Sequence, residues 1–249
     1  MSVSWFKFTA SAVVAGALCV GATASSAQAG SMVLGDSGWK ASWSSAFDDA
    51  NNTHVTLTVL AETCDAVVLQ KVAVFTDGPD QYGMIVPIEI NFEQIRGDAV
   101  QQIVFTSENV TNASGTDWSG FKFIIEDGTT GTPADTHYNL DETFGGSDPF
   151  DTSPFSVTEI GSPYGMPQII TVGDGTLHNG EVWYPGMASG AGQLVINAAP
   201  SCEGVKRFVF KEQPIPSAIP LPAAAWTGLT GLIGLALPRA ARKFRKSIA

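Results

Sequence analysis

Val55-Thr56-Leu57-Thr58-Val59 alternates apolar with polar side chains, the period of two that turns one face of an extended strand to a core and the other to water. Outward from it, Val67 to Phe75, Ile85 to Phe92, Ile103 to Phe105, Phe121 to Ile125, Ile169 to Val172, Leu194 to Ile196 and Phe208 to Phe210 are further short runs of β-branched or aromatic residues. Asp77-Gly78-Pro79, Arg96-Gly97-Asp98, Asp127-Gly128, Gly145-Gly146, Asp174-Gly175 and Asn179-Gly180 punctuate them as turns. No window has the period of a convincing amphipathic helix. The expectation is an all-β chain whose residues 30–211 form a single antiparallel β-sandwich.

Details of that sandwich come from particular residues. Pro87 has no amide hydrogen to give to a ladder, which points to an edge strand or a bulge. Residues 128–154, rich in Gly, Thr, Asp and Pro, read as one long loop without a strand of its own, the kind of place where binding sites usually lie. Trp118, Phe121 and Phe123 read as core residues on a strand; the competing reading is an exposed groove that stacks sugar rings. Residues 212–218, with Pro214 and Pro216, read as a linker that holds the domain away from residues 219–249.

All 24 Asp and Glu, but only seven of the 13 Lys and Arg, fall between Gly30 and Gln213, so this region has a net charge of −17 against −11 for the whole chain. Such a surface repels polyanions and argues against nucleic acid as a partner. Cys64 and Cys202 form an even pair. In an oxidising compartment that points to a disulfide, worth about 4–5 kcal/mol for a loop of about 140 residues on the chain-entropy model; the alternative is two buried thiols.

The chemistry-bearing residues form no known catalytic pattern. His54, His137 and His178 are far apart and belong to no H-E-x-x-H or H-x-H spacing, and no serine sits in a G-x-S-x-G elbow. Carboxylates are too abundant for a glycosidase pair to be singled out. Loop carboxylates are candidate calcium ligands instead, because calcium takes several oxygens in flexible settings: Asp48-Asp49, Asp77 with Asp80, Asp141-Glu142, and above all Asp148 with Asp151. Solvated acidic loops are the alternative, and no cofactor is otherwise expected.

Both ends carry targeting patterns. Lys7, the uncharged stretch Ala10 to Val20, and Ala27-Gln28-Ala29 before Gly30 have the order of a signal peptide over residues 1–29, with Cys19 inside the discarded part. At the other end Leu221 to Leu237 is uncharged for seventeen residues, at the short limit for a membrane-spanning helix, which needs about 17–25. Trp226 lies near its outer end, and Arg239, Arg242, Lys243, Arg245 and Lys246 follow it, which places the C-terminus in the cytoplasm.

The order of residues 219–249, Ile219-Pro220-Leu221-Pro222-Ala223, an apolar run and a basic end, resembles the tail of the PEP-CTERM class of exosortase substrates in its VPLPA form. Ile219 stands where that form has Val, and Pro238 separates the run from the first Arg. The resemblance covers about thirty residues and implies a partner: an exosortase, a membrane-embedded cysteine protease that recognises the motif near Pro220–Pro222 and releases or transfers the ectodomain. A plain C-terminal anchor is the alternative. Asn112 to Phe123 and Lys211-Glu212-Gln213-Pro214 are also loosely similar to exported β-rich domains that precede such tails.

Three functions are compatible with these readings. The leading one is a non-catalytic exported surface or extracellular-matrix protein, anchored transiently in the inner membrane and processed at its C-terminus. The second is a module that binds extracellular polysaccharide or another protein, and the third is a secreted hydrolase with an unrecognised carboxylate site.

Overall fold

The structure is a computed structural model that describes residues 30–127, 136–138, 151–161, 168–186, 193–202 and 206–217. Its strands, in chain order, are β1 (Ser31–Val33), β2 (Trp39–Trp43), β3 (His54–Glu62), β4 (Ala66–Phe75), β5 (Ile88–Gln94), β6 (Gln102–Asn112), β7 (Trp118–Asp127), β8 (His137–Tyr138), β9 (Ser156–Ile160), β10 (Gln168–Gly173), β11 (Val182–Trp183), β12 (Leu194–Asn197) and β13 (Arg207–Pro216). Helix among the described residues is limited to a 3-10 turn at Ser45–Phe47. The all-β expectation holds.

Two sheets build the domain. The first has the order β1-β2-β5-β13-β7-β10-β9, and the second β3-β4-β6-β12-β8 with β11 also on β6. Alternation creates their inner faces: in β4, Val67, Leu69, Ala73 and Phe75 are buried, and in β13, Phe208 and Phe210. Each large apolar side chain fully buried in this way contributes about 1.5–3 kcal/mol. Ring contacts then join the two layers. Phe105 of β6 stacks on Phe210 of β13 at 5.3 Å, and Phe75 of β4 meets Trp118 of β7 edge-on at 5.4 Å.

The first sheet is antiparallel throughout its pairs, but β4 and β6 run parallel, so the second sheet is mixed. The cause is topological: between β4 and β6 the chain crosses to the first sheet to form β5, then returns, and two crossings restore the direction. The run expected from Ile85 starts as strand only at Ile88, so Pro87 precedes the ladder instead of interrupting it. The loop expected at 128–154 contains the short strand β8, paired with β12 through Tyr138 and Ile196. The linker expected at 212–218 is also corrected. β13 continues to Pro216, paired with β7 after its pairing with β5 has ended at Glu212, so Pro214 and Pro216 lie where the strand is an edge.

Trp118 and Phe121 are three residues apart, so simple alternation cannot bury both. A bulge resolves this: Ile215 pairs with Gly120 and Pro216 with Trp118, leaving Ser119 as the extra residue. Gly120 is required there, since a Cβ would lie 2.4 Å from the Val172 carbonyl oxygen. Trp118, Phe121 and Phe123 are all fully buried, which supports the core reading of this motif. At its start, Asn112 is also buried; its Nδ2 donates to the Thr116 and Leu177 carbonyls at 2.9 and 3.1 Å, and its Oδ1 accepts from Ser114. The Trp118 indole N–H donates to Ser114 Oγ at 3.0 Å and completes the network.

The expected Cys64–Cys202 bond is absent. Cys64 lies in the turn between β3 and β4, Cys202 in the connection between β12 and β13, and both are exposed free thiols. An even count and a suitable compartment do not place two Cα atoms within the roughly 7 Å that a disulfide requires.

Candidate functional site

Lys71 occupies the core-facing parity of β4, between Leu69 and Ala73, so a cation stands where the strand pattern calls for an apolar side chain. Glu212 does the same in β13, in line with Phe208 and Phe210. Glu108 reaches the core by another route. The β4–β6 register shifts at Leu69/Gln70, where Phe105 is followed by Ser107 as the next partner; the extra residue, Thr106, reverses the parity of β6 and turns Glu108 inward opposite Lys71.

These three side chains meet between the sheets. Lys71 Nζ donates to Glu212 Oε1 and lies 3.1 Å from Glu108 Oε1. The side-chain exposures of Lys71, Glu108 and Glu212 are 0%, 1% and 0%. The Phe105 and Phe210 rings flank the ammonium, with centroids at 5.3 and 5.1 Å. Among the described residues, Glu108 Oε2, Glu212 Oε2 and the nearby Tyr138 hydroxyl have no hydrogen-bond partner.

One cation facing two anions would leave a net negative charge in an apolar interior, and the proton affinities respond to that. Burial, reinforced by the Glu212 charge and opposed by Lys71, pushes the Glu108 carboxyl up to about 7. Burial also raises Glu212, against the pull of Lys71. For Lys71, burial works against the ammonium, but Glu108 and Glu212 outweigh it and raise its proton affinity. Burial, then the charges of Glu212 and Glu108, pushes the Tyr138 hydroxyl well above its usual range. Burial thus favours the protonated form of both carboxyls, while the shared amine gains proton affinity from them.

A pH dependence results. An acid whose proton affinity is raised on folding stabilises the fold below its unfolded pKa and loses that contribution as pH rises through the folded value. Between pH 5 and pH 8, Glu108 alone is expected to lower the unfolding free energy by about 2–3 kcal/mol. Urea unfolding across that range checks it, and a flat profile would refute the assignment.

The carboxylates singled out for calcium that the structure describes accept hydrogen bonds from protein groups. Asp48 Oδ1 accepts from Gly30 N at 2.9 Å and from the Trp43 indole at 2.7 Å. Asp49 holds Asn51 and Asn52, Asp77 accepts from Thr53, and Asp80 accepts from the amides of Tyr82 and Met84. Asp151 accepts from Ser153 N at 2.8 Å. Asp148, Asp141 and Glu142 lie outside the described residues. Among the described residues no group of three or more His, Cys, Asp or Glu gathers to hold a cation. His178 pairs with Asp117 at 3.0 Å on the surface, where the Asp117 carboxylate raises its proton affinity.

A surface groove of about 540 Å³ lies beside β2 and β5, lined by Trp43, Phe47, Val86, Pro87, Glu89 and Asn91, among others. Trp39, Trp43, Trp118 and Trp183 are core residues, while Tyr82 and Tyr184 are exposed. Of the targeting residues, Gly30 is described; Ala27, Ala29 and the motif Ile219, Pro220, Leu221, Pro222, Ala223 lie outside the described residues. Among the described residues no helix is long and apolar enough to cross a membrane.

The buried cluster escaped the sequence reading, although a signal was there. Lys71 and Glu212 each break an otherwise apolar parity, whereas Glu108 is legible only once the bulge is known. No protein-family model, curated protein or solved structure matches the chain.

Proposed function

We propose that this chain is a non-catalytic exported protein of the cell surface or extracellular matrix, processed at its C-terminus by an exosortase-type membrane protease. The observation that carries the reading is the closure of the Lys71–Glu108–Glu212 cluster. Among the described residues, groups with the chemistry of an active site are buried against one another in the core, so they serve the cohesion of the domain.

Two further features support export. The hydrogen-bonded domain reaches to Gly30, whose nitrogen faces Asp48 and whose carbonyl accepts from Trp43 N. Cleavage after Ala29 would turn that nitrogen into an ammonium beside a carboxylate, a stronger contact than the amide makes. The tail, with its motif at Ile219–Ala223, then supplies the sorting signal.

The tail is expected to act as a unit. Changing Pro220, Leu221 and Pro222 together to Ala should leave membrane insertion intact and abolish C-terminal processing. Intact mass spectrometry of protein from membrane and medium, with and without the exosortase, tests this. A mass ending near Pro220 that disappears without the protease is the expected result, and a retained basic tail in both strains would leave a plain anchor.

The groove beside Trp43 and Phe47 favours a second reading, a module that binds polysaccharide or protein. Calorimetric titration with extracellular polysaccharide, repeated with Glu89→Ala and Asn91→Ala, distinguishes it. Saturable heat lost in those variants would support the module, and absence of heat would leave the structural role.

A further inference from the structure

We propose that Lys71 and Glu212 become covalently joined by an isopeptide bond from Nζ to the side-chain carbonyl carbon Cδ, with Glu108 relaying a proton. The inference stands on the geometry of the core and does not depend on how the protein is sorted.

The amine and the acid already touch, from strands in opposite sheets. Lys71 projects from β4 and Glu212 from β13, and the fold places Nζ in contact with Glu212 Oε1. Such fixed proximity corresponds to effective concentrations of up to about 10⁵–10⁸ M. Glu108 sits on the same nitrogen at 3.1 Å, held there by the β4–β6 register, and the Phe105 and Phe210 rings help keep the site dry. A dry core lowers the cost of reaching the uncharged pair, a free amine beside a protonated carboxyl, because separated charges lose their solvation there.

The atoms balance without any co-reactant. Lys71 passes one ammonium proton to the Glu212 carboxylate that it touches, and the free Nζ attacks Cδ of the carboxyl so protonated. The C–N bond forms, and the tetrahedral intermediate loses one carboxyl oxygen as its C–O bond breaks. Glu108 takes a second proton from the nitrogen and gives it to the departing oxygen, so that one water leaves and Glu108 returns to its starting state. Two of the three ammonium hydrogens go out with that water, the third stays on the amide nitrogen, and no group is oxidised or reduced. The product removes the charges of Lys71 and Glu212 from the interior, and the link spans β4 and the last strand, so the two sheets could no longer separate.

Mass spectrometry of the folded protein, isolated after expression of the full chain, decides it. The expected intact mass is one water lower than the sequence between the observed termini requires, and proteolysis should yield a branched peptide joining the Lys71 segment to the Glu212 segment. An undiminished mass, with trypsin cutting after Lys71, would overturn the proposal, as would a branch ending at Glu108. Glu108→Gln, which keeps the shape of the relay but not its proton, should slow bond formation by about 10²–10⁴-fold. Linkage at the wild-type rate in Glu108→Gln would refute the relay. Lys71→Arg should never link. If either variant fails to fold, the wild-type peptide map still shows whether the branch exists. The branch reports the core and the C-terminal mass reports sorting, so the two readings fail separately.

Discussion

Lys71→Met is expected to lower the unfolding free energy by about 3–5 kcal/mol or more at pH 8. Methionine fills much of the same volume between Phe105 and Phe210, so packing changes little; the loss is electrostatic. The lysine is the cation that both Glu108 and Glu212 face, and without it two buried carboxyls confront each other unpaired. Burial already holds both above the usual carboxylate range, and removal of the cation raises them further. They are therefore protonated in the folded variant at pH 5 at little cost, whereas at pH 8 the variant must either hold protons against the solvent or bury charge. The deficit relative to wild type is accordingly expected to be smaller at pH 5 than at pH 8. Denaturant unfolding of both proteins at the two pH values measures it. Equal deficits would mean that the cluster contributes through packing alone. Any covalent link between Lys71 and Glu212 adds a pH-independent part to the loss without altering this trend.

Trp118→Ala should be comparably damaging for a different reason. Trp118 is wholly buried, meets Phe75 edge-on and Phe121 at 6.0 Å, and ties its indole N–H to Ser114 Oγ. Truncation opens a cavity at the joint between the two sheets and removes a donor from the Asn112 network, with an expected loss of about 3–5 kcal/mol. In a domain of this size that lowers Tm by about 6–20 °C. Trp118→Phe keeps most of the ring contact and forfeits the hydrogen bond, so its loss should be less than half as large. Thermal unfolding of the pair tests the order; similar Tm values for Trp118→Ala and wild type would show that Trp118 is not a structural joint.

The Asn112–Phe123 motif shows how far local pattern carries. Its aromatic residues were legible as core because each is large, apolar and strand-forming. How Trp118 and Phe121 both face inward was not legible, since that depends on β13 pairing with Gly120 and then skipping Ser119. The same holds for Glu108. Its neighbours along the chain do not mark it as buried, and only the skipped Thr106 against β4 turns it toward Lys71.

The disulfide expectation failed for a related reason. Cys64 and Cys202 are separated by most of the domain, and nothing in their spacing states how the two loops that carry them approach. Of the carboxylates named for calcium, Asp49 and Asp80 accept hydrogen bonds within their own turns, and Asp48 accepts from Gly30 N and the Trp43 indole.

What the sequence determined by itself was local. Period-two alternation from Val55 to Val59, the β-branched and aromatic runs and the Gly-containing turns dictate strands, because each strand must bury one face and each turn needs permissive backbone. Tertiary structure decided the parallel β4–β6 pair, the two parity-reversing bulges and the meeting of Lys71, Glu108 and Glu212. These are relations between segments up to 141 residues apart, set by which strands pair and in which register, and a one-residue slip moves every later side chain to the opposite face.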